Sequence, residues 1–421
     1  MPRPRILFLA HLLPWPLTGG GQIKSYHTLR ALSQRNDVTL FALIRREEER
    51  EQARHLEPFC TGGVECFNLR RSAWSNAVQV IRSLLFGESF IVERDSVSEL
   101  MLELYCATGG YRMDGLRRDH SHASAVIHID HLQMARYVGN NRRKIKVILD
   151  QHNVEHRIIR RIAETPGANP LLRWYAGMEW RKLRDLEVAA MRRADATLAV
   201  SDADRDAFLS LAPDLAGKVE TVPIGVDTDY FAVAERNPDA RAILSIGTMS
   251  WLPNVDAIQW FVSEILPLVR AKNRDVRVSV VGANPVQKII ALGKRDPSLV
   301  VTGTVPDVRP YARECGVFVV PLRSGSGVRV KILNALSMGL PVVSTTVGAE
   351  GIAVTHGENI LIADTPRAFA DAVCRVLDDR SFADRLGANG RALVENRYTW
   401  DVVGERLRAV YERVLGTEAK S

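Results

Sequence analysis

The sequence is poor in cysteine for its length. Five cysteines, at positions 60, 66, 106, 315 and 374, are scattered over 421 residues and form no Cys-x-x-Cys pair. This odd and dispersed set excludes a small disulfide scaffold, argues against a zinc site and indicates a reducing compartment. Hydrophobic residues make up 46% and charged residues 25% of the chain, which is a globular composition rather than a disordered or collagen-like one.

Long hydrophobic runs are absent as well. No uninterrupted apolar stretch reaches the ~18 residues that a membrane-spanning helix needs. Residues 1–17 imitate a signal peptide, but His11, Pro14 and Pro16 interrupt the apolar run and no small-residue cleavage site follows. We therefore interpret residues 6–11 as a buried strand and expect a cytoplasmic protein. The net charge of +7 favours anionic partners without naming one.

Short apolar segments alternate with longer amphipathic ones along the whole chain. This alternation predicts an α/β fold with parallel sheets covered by helices. The predicted strands are 6–11, 38–43, 64–69, 125–129, 146–149 and 196–200 before a turn-rich passage, and 242–246, 276–281, 299–302, 317–321, 341–344 and 359–362 after it. We expect two Rossmann-like domains facing each other across a cleft, at 1–222 and 223–399, followed by a helical segment at 400–421.

A glycine-rich segment follows the first predicted strand. Residues 18–22 read Thr-Gly-Gly-Gly-Gln and precede a helical pattern at 23–32. Glycines allow a close backbone approach, and the free amides at a helix start suit a phosphate group. The segment matches neither the dinucleotide-binding nor the P-loop pattern, so a dehydrogenase or a P-loop enzyme loses support. A flexible turn without a ligand is the alternative.

The most informative stretch is 321–344 in the second half. A strand ends at Pro321, a glycine loop follows, and a short helix is predicted at 328–338 and closed by Gly339. Arg329 and Lys331 lie at the start of that helix, where the helix dipole disfavours cations. Because a bound anion would remove this conflict, we expect an anion site here. A solvated basic turn is the alternative.

Five ordered segments give the chain a resemblance to a known family. They are 245–256 (SIGTMSWLPNVD), 281–282 (VG), 303–305 (GTV), 321–344, and the pair 200–202 (VSD) with 223–227 (PIGVD). With them the sequence resembles the retaining GT-B glycosyltransferases of family four (glycosyl transferases group 1) over essentially the whole chain. The resemblance implies two Rossmann-like domains, with a nucleotide-sugar donor held mainly by the second and an acceptor mainly by the first. It also implies that the last helix crosses back to the first domain.

The same resemblance implies donor contacts residue by residue. It places Gly20 and Gly21 against the donor diphosphate, and Gly303, Thr304 and Val305 beside the nucleobase. The full set of expected donor-binding residues is Gly20, Gly21, Gly247, Gly303, Thr304, Val305, Ser326, Gly327, Arg329, Lys331 and Asn334.

Two glutamates that the family carries eight positions apart are replaced here by Ser326 and Asn334. In the family these glutamates hold the hydroxyls of the donor sugar and the nucleotide ribose. An asparagine still accepts a hydrogen bond from a ribose hydroxyl, although without charge, whereas a serine contacts a sugar less directly.

The family's arginine and lysine after the first strand of the second domain are also missing. Thr248 and either Pro253 or Asn254 occupy that region. We infer that Arg329 and Lys331 carry the charge toward the diphosphate instead. Loss of activity is the alternative explanation of these departures.

Polar residues follow two predicted strands of the first half. Asp130 and His131 come directly after 125–129, and residues 150–153 (Asp-Gln-His-Asn) follow the next strand. Family members place a histidine or a carboxylate at the first position, so Asp130 and His131 are the catalytic candidates. Either would stabilise positive charge at the anomeric carbon or accept the acceptor's proton. Since side chains alternate along a strand, we expect only one of them to point inward. An imidazole satisfied by a strand-end carbonyl is the alternative, and residues 150–153 are expected to line the cleft.

Two further patterns have structural explanations. Residues 202–204 (Asp-Ala-Asp) match the Asp-x-Asp motif of metal-dependent glycosyltransferases of another fold, but Ser201 with Asp204 three residues later is typical of a helix capping box. The segment 157–193 is rich in arginine with interleaved aromatic residues, and acids interrupt its positive face. We expect a solvated helix pair rather than an RNA-binding surface, and a peripheral contact with an anionic membrane stays open.

The sequence therefore predicts a metal-independent, hexosyltransferase-like glycosyltransferase that needs no cofactor and binds no nucleic acid. It would move a sugar from a nucleotide-sugar donor to a saccharide or lipid-linked acceptor in cell-surface polysaccharide or glycoconjugate synthesis, and the resemblance implies retention of configuration. The expected location is the cytoplasm, with the inner face of the cell membrane left open. A nucleotide-sugar epimerase on the same fold and a non-catalytic nucleotide-sugar-binding protein are the alternatives.

Overall fold

The computed structural model describes residues 3–108, 126–138, 145–164, 169–237, 240–325 and 327–416. The chain divides into two compact units. The N-terminal unit comprises Met1–Pro223 together with Gly404–Ser421, and the C-terminal unit comprises Ile224–Val403.

A seven-stranded parallel sheet lies at the centre of the N-terminal unit. Its strands are β1 (Arg5–Ala10), β2 (Asp37–Ile44), β3 (Val64–Asn68), β4 (Val126–Asp130), β5 (Lys146–Gln151), β6 (Ala196–Ala199) and β7 (Val219–Thr221), in the order β3-β2-β1-β4-β5-β6-β7. The central strands are continuous apolar runs, as in sheets that are covered on both faces, and Phe8, Leu9 and Leu149 are fully buried. The strand order reverses between β1 and β4, and ligands of such sheets bind where the carboxyl ends diverge.

Helices connect these strands. They are α1 (Gly20–Ser33), α2 (Glu49–Gln52), α3 (Ala73–Phe86), α4 (Phe90–Glu93), α5 (Ser98–Ala107), α6 (Glu155–Glu164), α7 (Pro170–Arg193) and α8 (Asp202–Leu211). α1 buries Leu29 and Leu32, which are three residues apart and therefore lie on the same face of the helix. The side chains of these two leucines are 0% and 1% exposed, so burial of this face fixes α1 within the unit.

The C-terminal unit has a second parallel sheet, of six strands. They are β8 (Ala242–Ile246), β9 (Val278–Val281), β10 (Leu299–Val301), β11 (Cys315–Val320), β12 (Val342–Ser344) and β13 (Leu361–Ile362), in the order β10-β9-β8-β11-β12-β13. Its helices are α9 (Leu252–Trp260), α10 (Leu266–Lys272), α11 (Gln287–Arg295), α12 (Arg309–Arg313), α13 (Val330–Ser337), α14 (Pro366–Asp378) and α15 (Arg380–Arg397). The last helix, α16 (Trp400–Leu415), starts in this unit, and its part from Gly404 onward belongs to the N-terminal unit.

The predicted alternation of strands and helices is confirmed, since every predicted strand overlaps an observed one. Residues 6–11, the apolar core of the signal-like segment, correspond to β1, which pairs with β2 and β4. β7 was not predicted, because three residues with a glutamate in the middle form no apolar run; its pairing with β6 makes it a strand. None of the described helices is both long and apolar enough to cross a membrane.

Candidate functional site

In the N-terminal unit, polar side chains meet where the strand order reverses. Asp130 ends β4 and lies in register with Asp150 of β5. α1 lies beside these strand ends, because Ser25 in its second turn hydrogen-bonds Asp130. α1 starts after Gly19, which as the N-cap residue provides no side-chain hydrogen bond to the first amides. The start of α1 is therefore an uncapped helix N-terminus next to a polar cluster.

Asp130 is the centre of this cluster. Its buried carboxylate accepts a hydrogen bond from Ser25 Oγ at 2.8 Å and lies 3.0 Å from His131 Nδ1 and 2.9 Å from His152 Nε2. Burial alone would raise the pKa of Asp130, but the charges of His131 and His152 hold it well below its usual value. An ionised carboxylate only accepts, so it favours a proton on each facing nitrogen. Asp130 therefore orients the two imidazoles.

His131 is the member of the cluster that reaches the surface, with 18% of its side chain exposed. Burial opposes its charge, but Asp130 raises the pKa of His131 above its ordinary value. The prediction that only one of Asp130 and His131 points inward is wrong, because their side chains hydrogen-bond each other. The physical reason is that β4 ends at Asp130 and His131 adopts a φ of +74°, which a non-glycine residue adopts at a cost of about 1–3 kcal/mol.

His152 lies against His131, with ring centroids 3.7 Å apart. Burial lowers the pKa of His152 to about 4, and the charge of His131 acts in the same direction. His152 is therefore neutral at pH 7. A Cβ at Gly21 would lie 3.4 Å from His131 Nε2 and 3.6 Å from His152 Nδ1. The nitrogens that do not face Asp130 thus face the first turn of α1.

A buried ion pair and a buried histidine lie next to this cluster. Lys24 of α1 forms an ion pair with Asp150, and both side chains are almost fully buried. Burial would raise the pKa of Asp150, but Lys24 keeps it below its usual value. His128 Nδ1 lies 2.8 Å from the hydroxyl of Tyr411 on α16, and burial lowers the pKa of His128 to about 4. His128 is therefore neutral at pH 7.

Sequence reasoning missed several of these residues: Lys24, Ser25, His128, Tyr411 and the pair His11 and Asp95, in which His11 Nε2 is 2.8 Å from Asp95 Oδ2. One signal was present in the sequence. Lys24, Ser25 and Thr28 interrupt the apolar residues of α1 on a face that the structure buries. A polar stripe on the inner face of a helix indicates buried polar partners.

The same residues have the chemistry of metal ligands. Asp130, His131 and His152 offer three ligand atoms within 4.8 Å of one another, as do His128, Asp130 and Asp150. However, both oxygens of Asp130 already lie within hydrogen-bond distance of Ser25 Oγ, so a metal would displace these contacts. We interpret the cluster as a hydrogen-bonded network.

In the C-terminal unit, the strand order reverses between β8 and β11. Gly247 follows β8, and a Cβ there would lie 2.8 Å from Lys331 Nζ, so the glycine leaves the space that the ammonium occupies. Lys331 Nζ donates to Asn254 Oδ1 at 2.9 Å, and Asn254 Nδ2 donates to the Thr248 backbone oxygen at 2.9 Å. α13 thus places a lysine ammonium in the loop after β8.

This ammonium is held where its charge is poorly compensated. Burial, and then the charge of Arg329, lowers the pKa of Lys331 to about 7. Among the described residues no carboxylate offsets that charge. Arg329 is 6% exposed, donates to the Gly327 backbone oxygen and lies 5.7 Å from the Trp251 ring. Two neighbouring cations in a partly dehydrated site favour the arrival of an anion.

Three glycines line the same edge of the sheet. Gly282 N donates to the Gly303 oxygen at 3.2 Å, and a Cβ at Gly282 would lie 1.8 Å from the Gly247 oxygen, so only glycine permits this backbone approach. Gly303 has a φ of +73°. After it, Thr304 is exposed and Val305 is half-buried.

The remaining predicted donor residues are distributed as follows. Gly327 has a φ of +77° in the loop before α13, and the half-buried Asn334 lies one turn after Lys331 on α13. Ser326 lies outside the described residues. Gly20 and Gly21 belong to the N-terminal unit.

The Asp-x-Asp pattern is a helix cap, as predicted. Asp204 N donates to Ser201 Oγ at 3.0 Å, and Ser201 is the N-cap residue of α8. Asp202 Oδ1 accepts from Thr221 at 2.7 Å and from Arg205 at 3.1 Å. The carboxylate of Asp204 also accepts from Ser201 Oγ at 2.8 Å, so both acids have hydrogen-bond partners within the protein.

Two family models match the chain. Residues 240–379 match the family described as "Glycosyl transferases group 1", and residues 109–230 match "Glycosyltransferase Family 4". Together the matched segments cover more than half of the sequence.

Curated relatives are similar over part of their length. The GDP-mannose-dependent alpha-(1-6)-phosphatidylinositol monomannoside mannosyltransferase of Mycobacterium tuberculosis is 29% identical over 58% of this chain and 70% of its own. The capsular polysaccharide biosynthesis glycosyltransferase CapM of Staphylococcus aureus is 27% identical over 35% of this chain and 40% of its own. An uncharacterized 44.6 kDa protein of Klebsiella pneumoniae is 24% identical over 37% of this chain and 42% of its own length.

A solved structure is similar over nearly the whole chain. Anabaena HepE in complex with UDP superposes with a TM-score of 0.63 at 14% identity, over 97% of this chain and 100% of HepE. At this identity the likeness shows a shared fold.

Proposed function

We propose that this chain, which belongs to the glycosyltransferases with the GT-B fold, transfers a sugar from a nucleotide-sugar donor to a saccharide or lipid-linked acceptor. The observation that carries the proposal is the ammonium of Lys331, held beside Asn254 and next to Arg329 without a compensating carboxylate among the described residues. A nucleoside diphosphate supplies the missing charge. The UDP bound to HepE and the capsular polysaccharide role in the name of CapM support the donor class and the pathway class.

The C-terminal unit is assigned the binding of the nucleotide-sugar donor. When the bond between the sugar and the diphosphate breaks, negative charge grows on the leaving oxygens. Lys331 and Arg329 then stabilise the transition state more than the ground state. Gly303, Thr304 and Val305 are assigned to the nucleobase, and Asn334 to the ribose, as the family resemblance implies.

The N-terminal unit is assigned to the acceptor. His131 Nε2 is the nitrogen opposite the one that faces Asp130, and it accepts the proton of the acceptor hydroxyl. Asp130 stabilises the resulting imidazolium because its carboxylate lies 3.0 Å from Nδ1. The uncapped amides of Gly20 and Gly21 are assigned to an anionic group of the donor.

Retention of configuration, independence from metal ions and cofactors, and a cytoplasmic location belong to the same proposal. The location is supported by the five cysteines, which form no disulfide among the described residues and of which four are buried. A contact with the inner face of an anionic membrane fits a lipid-linked acceptor.

A thermal-shift screen against nucleoside diphosphates and nucleotide sugars tests the donor assignment. A ligand present at a hundredfold excess over its Kd stabilises the folded protein by about 2.7 kcal/mol, which gives a shift of several degrees. Product analysis with the stabilising donor then separates the alternatives. An epimerase converts the donor sugar without an acceptor, and a binding protein turns nothing over. Absence of a shift with every nucleotide would contradict the proposal.

A further inference from the structure

α3 presents its apolar side chains to solvent. Trp74, Val78, Ile81 and Leu85 are spaced as i, i+4, i+7 and i+11 and are 79%, 37%, 55% and 71% exposed. We call these four residues the α3 stripe. A surface helix of a globular protein normally turns such a stripe toward the core. The buried residue of α3 is instead Ser83, on the opposite side.

Polar contacts hold α3 in this orientation. Ser83 Oγ donates to Glu179 Oε2 of α7 at 3.2 Å, and Lys182 of α7 donates to the Ser83 backbone oxygen. The hydroxyl of Tyr175, also on α7, lies 3.4 Å from Ser83 Oγ. Since the polar side of α3 faces the protein, the outward position of the stripe is built into the fold.

The helices next to α3 add cations and further apolar groups. Leu171, Leu172 and Trp174 at the start of α7 are 71%, 51% and 56% exposed. α6 and α7 expose seven arginines against two acids, Glu164 and Asp185; the arginines are Arg157, Arg160, Arg161, Arg173, Arg181, Arg192 and Arg193. Ser83 and Lys182 form the contact between α3 and α7, and the exposed Arg82 and Arg181 are their neighbours in the sequence.

We propose that the α3 stripe docks this enzyme on an anionic lipid bilayer, with the arginines of α6 and α7 contacting lipid headgroups. Helices that lie in a membrane interface combine Trp, Leu and Phe on one face with nearby basic residues. The charge favours a bilayer over a second copy of the chain, because a symmetric dimer through this face would bring two arginine-rich surfaces together. The inference deepens the proposed function, on which it rests for the membrane-held acceptor.

Co-sedimentation of the full chain with lipid vesicles tests the docking without any sugar substrate. We expect binding to vesicles of equal parts phosphatidylcholine and phosphatidylglycerol and much weaker binding to phosphatidylcholine alone. The variant Trp74→Ser/Ile81→Ser/Leu85→Ser should bind the anionic vesicles at least tenfold more weakly. Arg157→Gln/Arg161→Gln should reduce binding by roughly fivefold per arginine, because each basic residue near an anionic surface contributes about that factor.

Matched controls lie in the C-terminal unit. Val300→Ser removes an apolar side chain that is 50% exposed, and Lys294→Gln/Arg295→Gln removes two exposed cations; neither should change vesicle binding. Equal binding of the stripe variant and the wild type overturns the proposal, as does absence of wild-type binding. A change from dimer to monomer in the stripe variant, with vesicle binding unchanged, would instead assign the stripe to a second copy. If vesicles bind but no nucleotide does, the proposed transfer reaction fails while the docking stands.

Discussion

The ammonium of Lys331 lies 2.9 Å from Oδ1 of Asn254, although the two residues are 77 positions apart in the chain. Asn254 lies near the start of α9 and Lys331 in the first turn of α13. We propose that this ammonium, which α13 supplies, replaces the cation that family members carry in the loop after the first strand of this unit. Under this proposal the chain lacks the usual lysine and still presents a cation in that loop.

Lys331→Ala is expected to weaken nucleoside diphosphate binding roughly ten- to a hundredfold, and so is Arg329→Ala. A hydrogen bond to a charged group contributes about 1.5–3 kcal/mol, which corresponds to this range. Binding of the bare nucleoside should hardly change, because its assigned contacts lie at Gly303 and Asn334. Isothermal titration with both ligands measures the difference, and Lys294→Ala serves as an exposed control. Equal weakening for nucleoside and diphosphate would mean that the two cations only support the fold.

The affinity for nucleoside diphosphate should fall as the pH rises above about 7. Burial and Arg329 lower the pKa of Lys331 to about 7, so the free protein loses the ammonium proton above that pH. A bound diphosphate favours the charged form, and binding therefore takes up a proton at alkaline pH. Titrations at increasing pH check this. Lys331→Arg keeps its charge and should remove the decline, since a guanidinium stays protonated. A decline of the same size in that variant would assign it to another group.

His131→Ala should lower the transfer rate by roughly a hundredfold or more, because general acid–base groups contribute factors of this size. Nucleoside diphosphate affinity should be nearly unchanged, since Lys331 and Arg329 lie in the C-terminal unit. Steady-state kinetics and titration measure the two effects separately. His55→Ala, at an exposed histidine of the same unit, is the control. A collapse of nucleotide affinity would show that the division of roles between the units is wrong.

Asp130→Asn should lower the pKa of His131, because the carboxylate raises it in the wild type. If His131 acts as the base, the acidic limb of the pH–rate profile moves to lower pH in this variant. An unmoved limb, with a uniformly reduced rate, would leave Asp130 as a structural residue alone.

Transfer activity should persist in EDTA. Asp204 and Ser201 form the cap of α8, the carboxylate of Asp202 accepts from Thr221 and Arg205, and the oxygens of Asp130 lie within hydrogen-bond distance of Ser25. Assays before and after exhaustive chelation, with manganese and magnesium added back, give the answer. Loss of turnover that either ion restores would identify the Asp130, His131 and His152 cluster as the first place to look for a metal.

Lys24→Met should destabilise the fold by about 3–5 kcal/mol, because it leaves the carboxylate of Asp150 buried without its partner. Chemical denaturation measures the change in free energy of unfolding. The double variant Lys24→Met/Asp150→Leu should recover part of the loss, since it leaves no uncompensated charge. Lys294→Met, at an exposed position, should change stability little. A double variant no more stable than Lys24→Met would show that packing, not charge, sets the cost.

The local sequence pattern predicts the two parallel sheets, because apolar strands and amphipathic helices alternate along the chain with their own hydrophobic periods. It also determined the cap at Ser201, which depends on contacts three residues apart. Helix bounds were less well determined: α13 is observed at Val330–Ser337 where 328–338 was predicted. The short strand β7 escaped prediction because its pairing, not its composition, makes it a strand.

Which polar groups contact one another depends instead on long-range packing. The distances from Lys331 to Asn254, from Lys24 to Asp150 and from His128 to Tyr411 join segments 77, 126 and 283 residues apart, and no local pattern encodes such pairs. The tertiary structure also brings the His131 side chain into contact with Asp130, although the alternation of side chains along a strand predicts opposite faces. In the same way it exposes the apolar α3 stripe to solvent. The physical reason is the same throughout. A buried polar group needs hydrogen-bonding partners, and the chain topology decides which partners lie close to it. A periodic pattern predicts which face of a helix or strand is apolar, but it does not predict what that face contacts.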